Sequence, residues 1–372
     1  MSKYYMAIGT FDFKRPHGIL TAVFDDSDLS FSITGSYEEG VNAGNMYYDK
    51  NRKVLYVCDE TDGHLVSGAG GGTIYAFKVV DHLLKLMNHI NTYMTKTCYC
   101  HMDGSGKYLL YANHTNRKPV TKVKKNDDGL FETVLVSDDG GVGMIALNED
   151  GSLDKVKDMV LYEGYIEEGR YRQPHCHSIN LSPDGKIFYA CDKGLDRIYS
   201  YSIDYENGKI VPLQVTQMEK DTAPRYTAFH PILPVIYENN ETSNILYAFR
   251  YDTKTGSLEK IGAYKQVEDG EGVTPSDLVS THAGDHLYSA TRNCNRLIAF
   301  RIREDGTLEK IREYDMKEDA IRGLCISEDD RYLMAMASGK SEILIFRITE
   351  NGEIEFVKKE NVPMPGCLRF LD

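Results

Sequence analysis

The sequence of 372 residues has no excess of basic side chains, no CxxC pair and no long apolar run. Lysine and arginine number 43 against 56 aspartates and glutamates, so the formal net charge is −13. Nucleic acids and anionic lipid surfaces are bound by clustered Lys and Arg, so this balance argues against both as partners. No stretch approaches the roughly 20 apolar residues that a membrane-spanning helix needs.

Four of the eight cysteines lie inside apolar segments: Cys58, Cys191, Cys325 and Cys367. Such thiols are typically buried and reduced. Cys98 and Cys100 are two apart on one predicted strand and are expected on one face, but no second pair completes a zinc site. The segment that begins at Met1 also lacks the basic stretch and long apolar run of a secretory signal. We therefore expect a reduced, cytoplasmic protein.

A short apolar strand followed by an acidic, glycine-containing turn recurs seven times. Equivalent points at the strand ends are Phe24, Phe77, Leu147, Tyr201, Phe249, Phe300 and Phe346. They are 46 to 70 residues apart, and a period of roughly 40–50 residues built from short strands is typical of β-propeller blades. The pattern predicts an all-β, seven-bladed β-propeller that uses residues 1–372 as a single domain.

Each repeat contains turn signals between its strands, such as the Pro-Asp-Gly sequence at 183–185. They predict four-stranded antiparallel blades, with no convincing helix. The C-terminal run 366–371 is expected to pair with the N-terminal strand at 4–8. Pairing of the first and last strands would close the ring and remove its exposed edges.

Two loops depart from the period. The second blade carries a glycine-rich run at 63–72, and the third carries an insertion of approximately 116–139, rich in Lys, Asp and Gly. Long loops on a rigid scaffold are often functional, although a solvated insertion without a role explains the sequence equally well. The glycine run lacks the Lys-Ser/Thr of a phosphate-binding P-loop and does not lead into a helix.

Polar residues at the start of an inner strand are expected to face the mouth of the central channel. His175 and His177 are two apart, and residues two apart on a strand share a face. They are candidates for acid–base catalysis or substrate binding, and a metal site that borrows carboxylates from other blades is the alternative. Asp192, in the polar turn 192–196 of the same blade, is explained equally well by turn structure.

Arginines recur at three successive blade mouths: Arg225, Arg292 and Arg322. Guanidinium groups bind carboxylates and phosphates in bidentate fashion, so a positive collar on an acidic protein favours an anionic substrate. Glu241 is expected near the same rim. An ion pair with Arg225 is the simpler interpretation of that carboxylate.

Taken in order, these segments resemble those of the seven-bladed propeller lactonases. This family includes bacterial 6-phosphogluconolactonases of the propeller type and fungal 3-carboxy-cis,cis-muconate lactonizing enzymes. The matching stretches run nearly end to end: 9–11 with 17–19, 55–60, 100–101 with 111–113, 174–178, 182–185 with 192–196, 224–225 with 229–231, 240–241 and Arg292.

The resemblance implies a site at one channel mouth with no metal or other cofactor. Its catalytic residues would be His177 or His175, with Arg225, Glu241 and Arg292. Substrate-binding residues are expected at Arg322, His101, Asn113, Asp192 and Tyr226. The chain departs from the family in having Tyr226 where a His is usual, Thr291 before Arg292 where an Asn is usual, and His114 leading into the insertion where a short Gly-bearing turn is usual.

The leading hypothesis is a hydrolase that opens a phosphorylated or acidic sugar lactone, acting as a monomer or homodimer. A histidine would serve as general base because its pKa lies near neutrality. Arg225 or Arg292 would stabilise the oxyanion, and Glu241 would orient the histidine or handle a second proton. A lactonizing or cycloisomerizing enzyme is the alternative within enzymes. A non-catalytic binding platform is the alternative outside them.

Overall fold

The computed structural model describes seven segments of the chain: residues 2–12, 17–37, 40–62, 71–115, 118–270, 272–317 and 320–371. These residues form seven four-stranded antiparallel sheets and two separate hairpins. Their helical content is one short 3-10 turn at Ser338–Lys340. The prediction of an all-β, seven-bladed propeller is therefore confirmed.

Blades 1 to 4 contain the following strands, each blade given from the channel outward. Blade 1 has β32 (Pro365–Phe370), β1 (Lys3–Thr10), β2 (Ile19–Asp25) and β3 (Ser30–Tyr37); blade 2 has β4 (Ala43–Asp49), β5 (Val54–Asp59), β6 (Thr73–Val80) and β7 (Leu83–Asn91). Blade 3 has β8 (Thr97–Met102), β9 (Tyr108–Asn113), β12 (Gly140–Leu147) and β13 (Leu153–Tyr162); blade 4 has β16 (Cys176–Leu181), β17 (Phe188–Asp192), β18 (Arg197–Asp204) and β19 (Lys209–Gln217).

Blades 5 to 7 follow the same order. Blade 5 has β20 (Pro224–Phe229), β21 (Val235–Asn240), β22 (Ile245–Tyr251) and β23 (Leu258–Lys265); blade 6 has β24 (Pro275–Ser280), β25 (His286–Thr291), β26 (Arg296–Ile302) and β27 (Leu308–Asp315); blade 7 has β28 (Ile321–Ile326), β29 (Tyr332–Ala337), β30 (Glu342–Ile348) and β31 (Ile354–Asn361). The two hairpins are β10 (Val120–Lys125) with β11 (Phe131–Val136), and β14 (Tyr165–Glu167) with β15 (Arg170–Arg172).

The ring is closed by the two ends of the chain, as the sequence predicts. Strand β32 pairs antiparallel with β1, and Leu368 lies opposite Ile8. The C-terminal strand thus becomes the innermost strand of the blade that the N-terminus begins. Because blade 1 combines both ends, it has four strands like the other six blades.

The core is divided into seven clusters of buried apolar side chains, one between each pair of adjacent blades. Tyrosine hydroxyls add hydrogen bonds across three of these interfaces, from the second strand of one blade to the last turn of the next. They donate to glycine carbonyls: Tyr56 to Gly151 at 2.7 Å, and Tyr237 to Gly306 and Tyr288 to Gly352 at 3.0 Å. Each sheet is therefore buried on both faces by its neighbours, as in other repeat architectures.

The repeated apolar points lie on the third strand of every blade. In five blades the residue directly follows a β-bulge: Phe77, Tyr201, Phe249, Phe300 and Phe346. In blade 1 the shift comes earlier, and blade 3 has an earlier shift at Ile145 in addition to one before Leu147, so that Ala22 and Ile145 are the equivalent residues rather than Phe24 and Leu147. Alternation places another apolar residue two positions later on the same face, which explains the displaced choice.

The insertion in blade 3 folds as the hairpin β10–β11, whose strands are largely exposed to solvent. Asn116 and Arg117, where it was predicted to begin, lie outside the described residues. The glycine run lies outside them from 63 to 70. None of the helices among the described residues is long and apolar enough to cross a membrane.

All eight cysteines lie in the described segments as free thiols, and seven are buried. The prediction that Cys98 and Cys100 share a face is wrong. Cys98 packs between blades 3 and 4, whereas Cys100 packs between blades 2 and 3. A register shift between Thr97 and Tyr99 interrupts the alternation.

Candidate active site

A β-bulge near the start of every inner strand shapes one mouth of the channel. The register shifts around the second residue of each inner strand, and these residues are Gly44, Cys98, His177, Arg225, Ser276, Arg322 and Gly366. A bulged residue leaves the ladder and its side chain is re-aimed. Four of the seven are small, so three long polar side chains have room at the mouth.

A second ring of side chains follows the ends of the second strands, which lie at the same edge of each antiparallel sheet. Its members are Phe11, Glu60, His114, Lys193, Glu241, Arg292 and Ser338. Each donates its backbone N–H to a carbonyl just before the inner strand of its own blade, at 2.7 to 3.3 Å. One repeated backbone hydrogen bond therefore fixes seven side chains around one opening.

Glu241 is surrounded by three cations from three blades. Lys193 Nζ lies 3.0 and 3.1 Å from its two carboxylate oxygens, Arg225 Nε at 3.0 Å, and Arg292 at 3.5 Å. Burial opposes ionisation of Glu241, but the three cations hold its pKa well below the usual value. Arg225 also donates to the carbonyl of Ser276 and lies 4.3 Å from the centre of the Tyr226 ring. This carboxylate locks the cations in place.

A second carboxylate, Glu60, pairs with an imidazole. Its Oε1 lies 2.9 Å from Nε2 of His114, and its Oε2 lies 4.0 Å from Arg322. Burial raises the pKa of Glu60, but His114, Arg322 and Lys96 outweigh burial and lower it. A Cβ at Gly44 would come within 2.5 Å of Glu60 Oε2. Glycine at this bulge therefore makes the space that the carboxylate occupies.

Three imidazoles converge between these two groups. The rings of His114 and His177 are nearly parallel, with centroids 5.2 Å apart, and His175 lies 5.9 Å from His114. Burial lowers the pKa of all three, that of His175 to about 3. For His177, burial and the charges of Arg225 and Lys193 act together, whereas Glu60 opposes the effect at His114. All three imidazoles are therefore neutral at pH 7.

The structure brings together most of the residues that the sequence singled out: His175, His177, Arg225, Tyr226, Glu241, Arg292 and Arg322. Tyr226 packs edge-on against His177 with ring centroids 5.2 Å apart. The expectation that His175 and His177 face one site agrees with the geometry. The bulge at His177, rather than simple strand alternation, gives that result.

Asn113 and Asp192 lie beside the cluster and hold its loops. Asn113 Nδ2 donates to the carbonyls of Met94 and Thr95 at 2.8 and 2.9 Å. Asp192 Oδ1 accepts the backbone N–H groups of His175, Gly194 and Leu195 at 2.9 to 3.0 Å. Both side chains are fully buried. These contacts favour a supporting role over the substrate contact that the sequence suggested.

His101 lies apart from the cluster, farther along the channel. Its Nδ1 is 2.8 Å from the Met102 carbonyl, its ring packs on Tyr47, and burial lowers its pKa to about 4. It lines a channel cavity of about 420 Å³ that is also bordered by Tyr226 and Arg322. The cavity and the cluster therefore share a boundary, but His101 does not contact the other predicted site residues.

Sequence reasoning missed Glu60, His114, Lys193 and Lys96. The first three occupy the position directly after a second strand, which is the position of Glu241 and Arg292. A comparison of that position across all blades would have found them. The described segments contain no group of three or more His, Cys, Asp or Glu side chains placed to hold a metal ion.

The mouth of this acidic protein gathers five cations around two ionised carboxylates. Lys96, Lys193 and three arginines lie around Glu60 and Glu241, the neutral imidazoles lie among them, and Lys96 is also 4.0 Å from Asp62. Such a site can hold an anion, accept a proton and stabilise a developing negative charge.

Comparison with known proteins gives a consistent result over the full length. The profile of the family described as "Lactonase, 7-bladed beta-propeller" matches residues 5–370. A 6-phosphogluconolactonase of Bacillus subtilis is 23% identical over 376 residues, covering 100% of this chain and 99% of its own. One from Formosa agariphila is 23% identical over 371 residues, covering 96% of each chain. The solved structure of a periplasmic gluconolactonase of Pseudomonas aeruginosa superposes with a TM-score of 0.84 at 20% identity, covering 99% of each chain.

Proposed function

The chain belongs to the seven-bladed β-propeller lactonase family, and we propose that it hydrolyses a sugar lactone that carries a phosphate or a carboxylate. The observation that carries the proposal is the pairing of neutral imidazoles with a cationic cluster in one channel mouth. The names of the Bacillus and Formosa relatives support a phosphorylated sugar lactone as the substrate.

Lactone hydrolysis needs a base, an oxyanion site and an acid. A neutral imidazole takes a proton from water, the resulting hydroxide adds to the carbonyl carbon, and the ring C–O bond then breaks. Fixed N–H donors stabilise the tetrahedral oxyanion, and Arg225, which Glu241 holds in place, is the donor for that purpose. His177 and His175 are the bases proposed from the sequence. The imidazoles and cations supply this chemistry, so the proposal includes no cofactor.

Arg292 is the cation best suited to contact the anionic group of the substrate. Its distance to Glu241, 3.5 Å, is the longest of the three, and its Nε is buried without a hydrogen-bond partner among the described residues. Arg225 is more committed, since it bonds both Glu241 and the Ser276 carbonyl. We therefore assign Arg292 to the substrate phosphate or carboxylate, and Arg225 to the framework and the oxyanion.

The test is a substrate panel assayed by pH change, because opening a lactone releases a proton whereas adding a carboxylate to an alkene consumes one. Purified protein is given 6-phosphoglucono-δ-lactone, glucono-δ-lactone and 3-carboxy-cis,cis-muconate, with the rate corrected for spontaneous ring opening. We expect the phosphorylated lactone to be opened fastest. Turnover of the unsaturated tricarboxylate alone would replace hydrolysis by the lactonizing alternative, which uses the same groups. No turnover of any compound would refute an enzymatic function at this mouth and leave the binding platform.

The proposal also covers the setting of the reaction. A lactone-opening step with a small anionic substrate belongs to carbohydrate metabolism, and we retain the cytoplasmic location. Seven buried thiols and no disulfide among the eight cysteines support a reducing compartment. The Pseudomonas relative, by contrast, is named periplasmic. A monomer or homodimer remains the expectation for the assembly.

A further inference from the structure

The three imidazoles in the mouth differ in one respect that decides which can hold a proton. His114 contacts a carboxylate, with Nε2 2.9 Å from Glu60 Oε1. Among the described residues, the rings of His175 and His177 have no such contact. His114 and Glu60 are 7% and 4% exposed, so bulk water does not compete for this hydrogen bond. A buried carboxylate–imidazole pair is a common way to orient a catalytic histidine.

The hydrogen bond fixes which nitrogen of His114 carries the proton. The ionised carboxylate accepts from Nε2–H, so Nδ1 of the neutral ring keeps its lone pair. Nδ1 is buried and has no hydrogen-bond partner among the described residues; the same holds for Nδ1 of His175 and His177, so the carboxylate contact is what distinguishes His114. The ring lies parallel to that of His177 at 5.2 Å, inside the cluster. Buried polar atoms are nearly always paired, so an open Nδ1 indicates a place for water or substrate.

Charge selects the same residue. A base that takes a proton becomes an imidazolium, and the groups facing each ring favour or oppose that cation. His177 faces Arg225, Lys193, His114 and Arg322, all of which oppose it. His175 faces Lys193, Lys96 and His114, which also oppose its protonation. Glu241 favours protonation of His175 but is not in hydrogen-bond contact with its ring. His114 also faces Lys193 and Lys96, but it has Glu60 at hydrogen-bond distance.

The fold keeps Glu60 ionised and in place for this purpose. Arg322 from blade 7 lies 4.0 Å from its other oxygen, and Arg322 itself rests 3.5 Å from the ring centre of Phe11 in blade 1. The absent side chain at Gly44 leaves the volume that the carboxylate fills. Groups from blades 1, 2, 3 and 7 thus converge on one carboxylate–imidazole hydrogen bond.

We infer that His114, held by Glu60, is the general base of the cluster, and that His177 and His175 line the site without exchanging the proton. This inference rests on the proposed lactone hydrolysis. His114 Nδ1 takes a proton from water while the hydroxide forms a bond to the lactone carbonyl carbon. As the ring C–O bond breaks, the same proton passes from Nδ1 to the departing oxygen. Water and lactone give a hydroxy acid, and the imidazole returns to its neutral form.

The experiment measures kcat/KM for 6-phosphoglucono-δ-lactone as a function of pH in four site variants and one control variant. His114→Gln is expected to lose roughly 10²- to 10⁴-fold, and His177→Gln less than tenfold. Glu60→Gln is expected to lower kcat and to move the acid limb of the profile to lower pH, because His114 loses the charge that favours its protonation. Glu60→Asp restores part of both. His89→Gln, on the exposed outer strand β7, is the control and should match the unaltered protein.

A histidine titration followed by NMR on the unaltered protein gives a readout without activity or mutation. His114 is expected to take up a proton at a higher pH than His175 and His177. The inference is overturned if His177 or His175 titrates first, or if His177→Gln abolishes turnover while His114→Gln retains it. An unmoved acid limb in Glu60→Gln overturns it as well. In each of these cases the proposed hydrolysis stands, whereas an unaltered protein that opens no lactone removes both.

Discussion

Replacing Glu241 by glutamine should destabilise the protein more than its position near a surface opening implies. The substitution keeps the shape of the side chain and removes its charge. Lys193, Arg225 and Arg292 then face one another without the carboxylate that they share. Arg225 is the most affected, because its side chain is 2% exposed and water cannot replace the lost partner.

The magnitude follows from the burial of the pairs. Removing one partner of a buried ion pair costs about 3–5 kcal/mol. The lower end applies here because the Lys193 and Arg292 side chains are 20% and 22% exposed. Unfolding entropy of ~2.1 cal/mol/K per residue gives about 0.8 kcal/mol/K for the whole chain, so about 3 kcal/mol corresponds to a fall in Tm of roughly 4 °C.

The depressed pKa of Glu241 sets how the stability difference between the variant and the unaltered protein changes with pH. The folded pKa of Glu241 is depressed, so its contribution to stability is complete above the unfolded value of about 4.3 and is lost as pH falls through the folded value. Urea unfolding should therefore separate Glu241→Gln from the unaltered protein fully at pH 7. The difference between them should shrink below about pH 4.

A matched control distinguishes burial from charge alone. Glu219→Gln removes a carboxylate paired with Lys260 at 3.1 Å, but both side chains are well exposed. This variant should leave the unfolding midpoint unchanged, because water screens the pair. Equal midpoints for Glu241→Gln and the unaltered protein at pH 7 would refute the claim that the carboxylate holds the three cations.

Three further outcomes are expected. Arg292→Met should raise KM for 6-phosphoglucono-δ-lactone about tenfold or more, because a charge-assisted contact of roughly 1.5–3 kcal/mol is lost. KM for glucono-δ-lactone should change little. Equal effects on both KM values in initial-rate assays would contradict the assignment of Arg292 to the anionic group of the substrate. Deleting β32 (Pro365–Phe370) should abolish cooperative thermal unfolding, because β1 loses its partner and the channel loses one of its seven inner strands; a cooperative transition near that of the full chain would contradict ring closure. Replacing 118–137 by a short Gly-Ser turn should change the free energy of unfolding by less than about 1 kcal/mol, since β10 and β11 are largely exposed; a larger loss in urea titrations would mean that the hairpin supports the blade.

Much of the fold could be predicted because each blade repeats the same local chemistry. The apolar strands and the acidic glycine turns are each encoded in a short stretch of sequence. The pairing of Ile8 with Leu368 joins the two ends of the chain. The equivalent points in blades 1 and 3 were misplaced at Phe24 and Leu147, because a third-strand bulge changes which residues face inward without changing the residue types. The inner-strand bulge likewise defeated the expectation for Cys98 and Cys100.

The candidate site was predicted in part. Arg225, Glu241 and Arg292 were expected near one rim, and both arginines lie within ion-pair distance of Glu241. The contact between Glu60 and His114 was not predicted, because the pairing of side chains from neighbouring blades depends on the radial packing of the sheets. The supporting hydrogen bonds of Asn113 and Asp192 were also out of reach, since a polar residue at a strand end looks the same whether it binds a ligand or a loop.

The sequence by itself determined the number of blades, the order of their strands and the ring closure, because periodic burial and turn chemistry are local properties that recur along the chain. Only the tertiary structure decided which carboxylate meets which cation or imidazole at the mouth. That choice depends on the radial arrangement of sheets and on one-residue bulges, which re-aim a side chain by changing register rather than residue type.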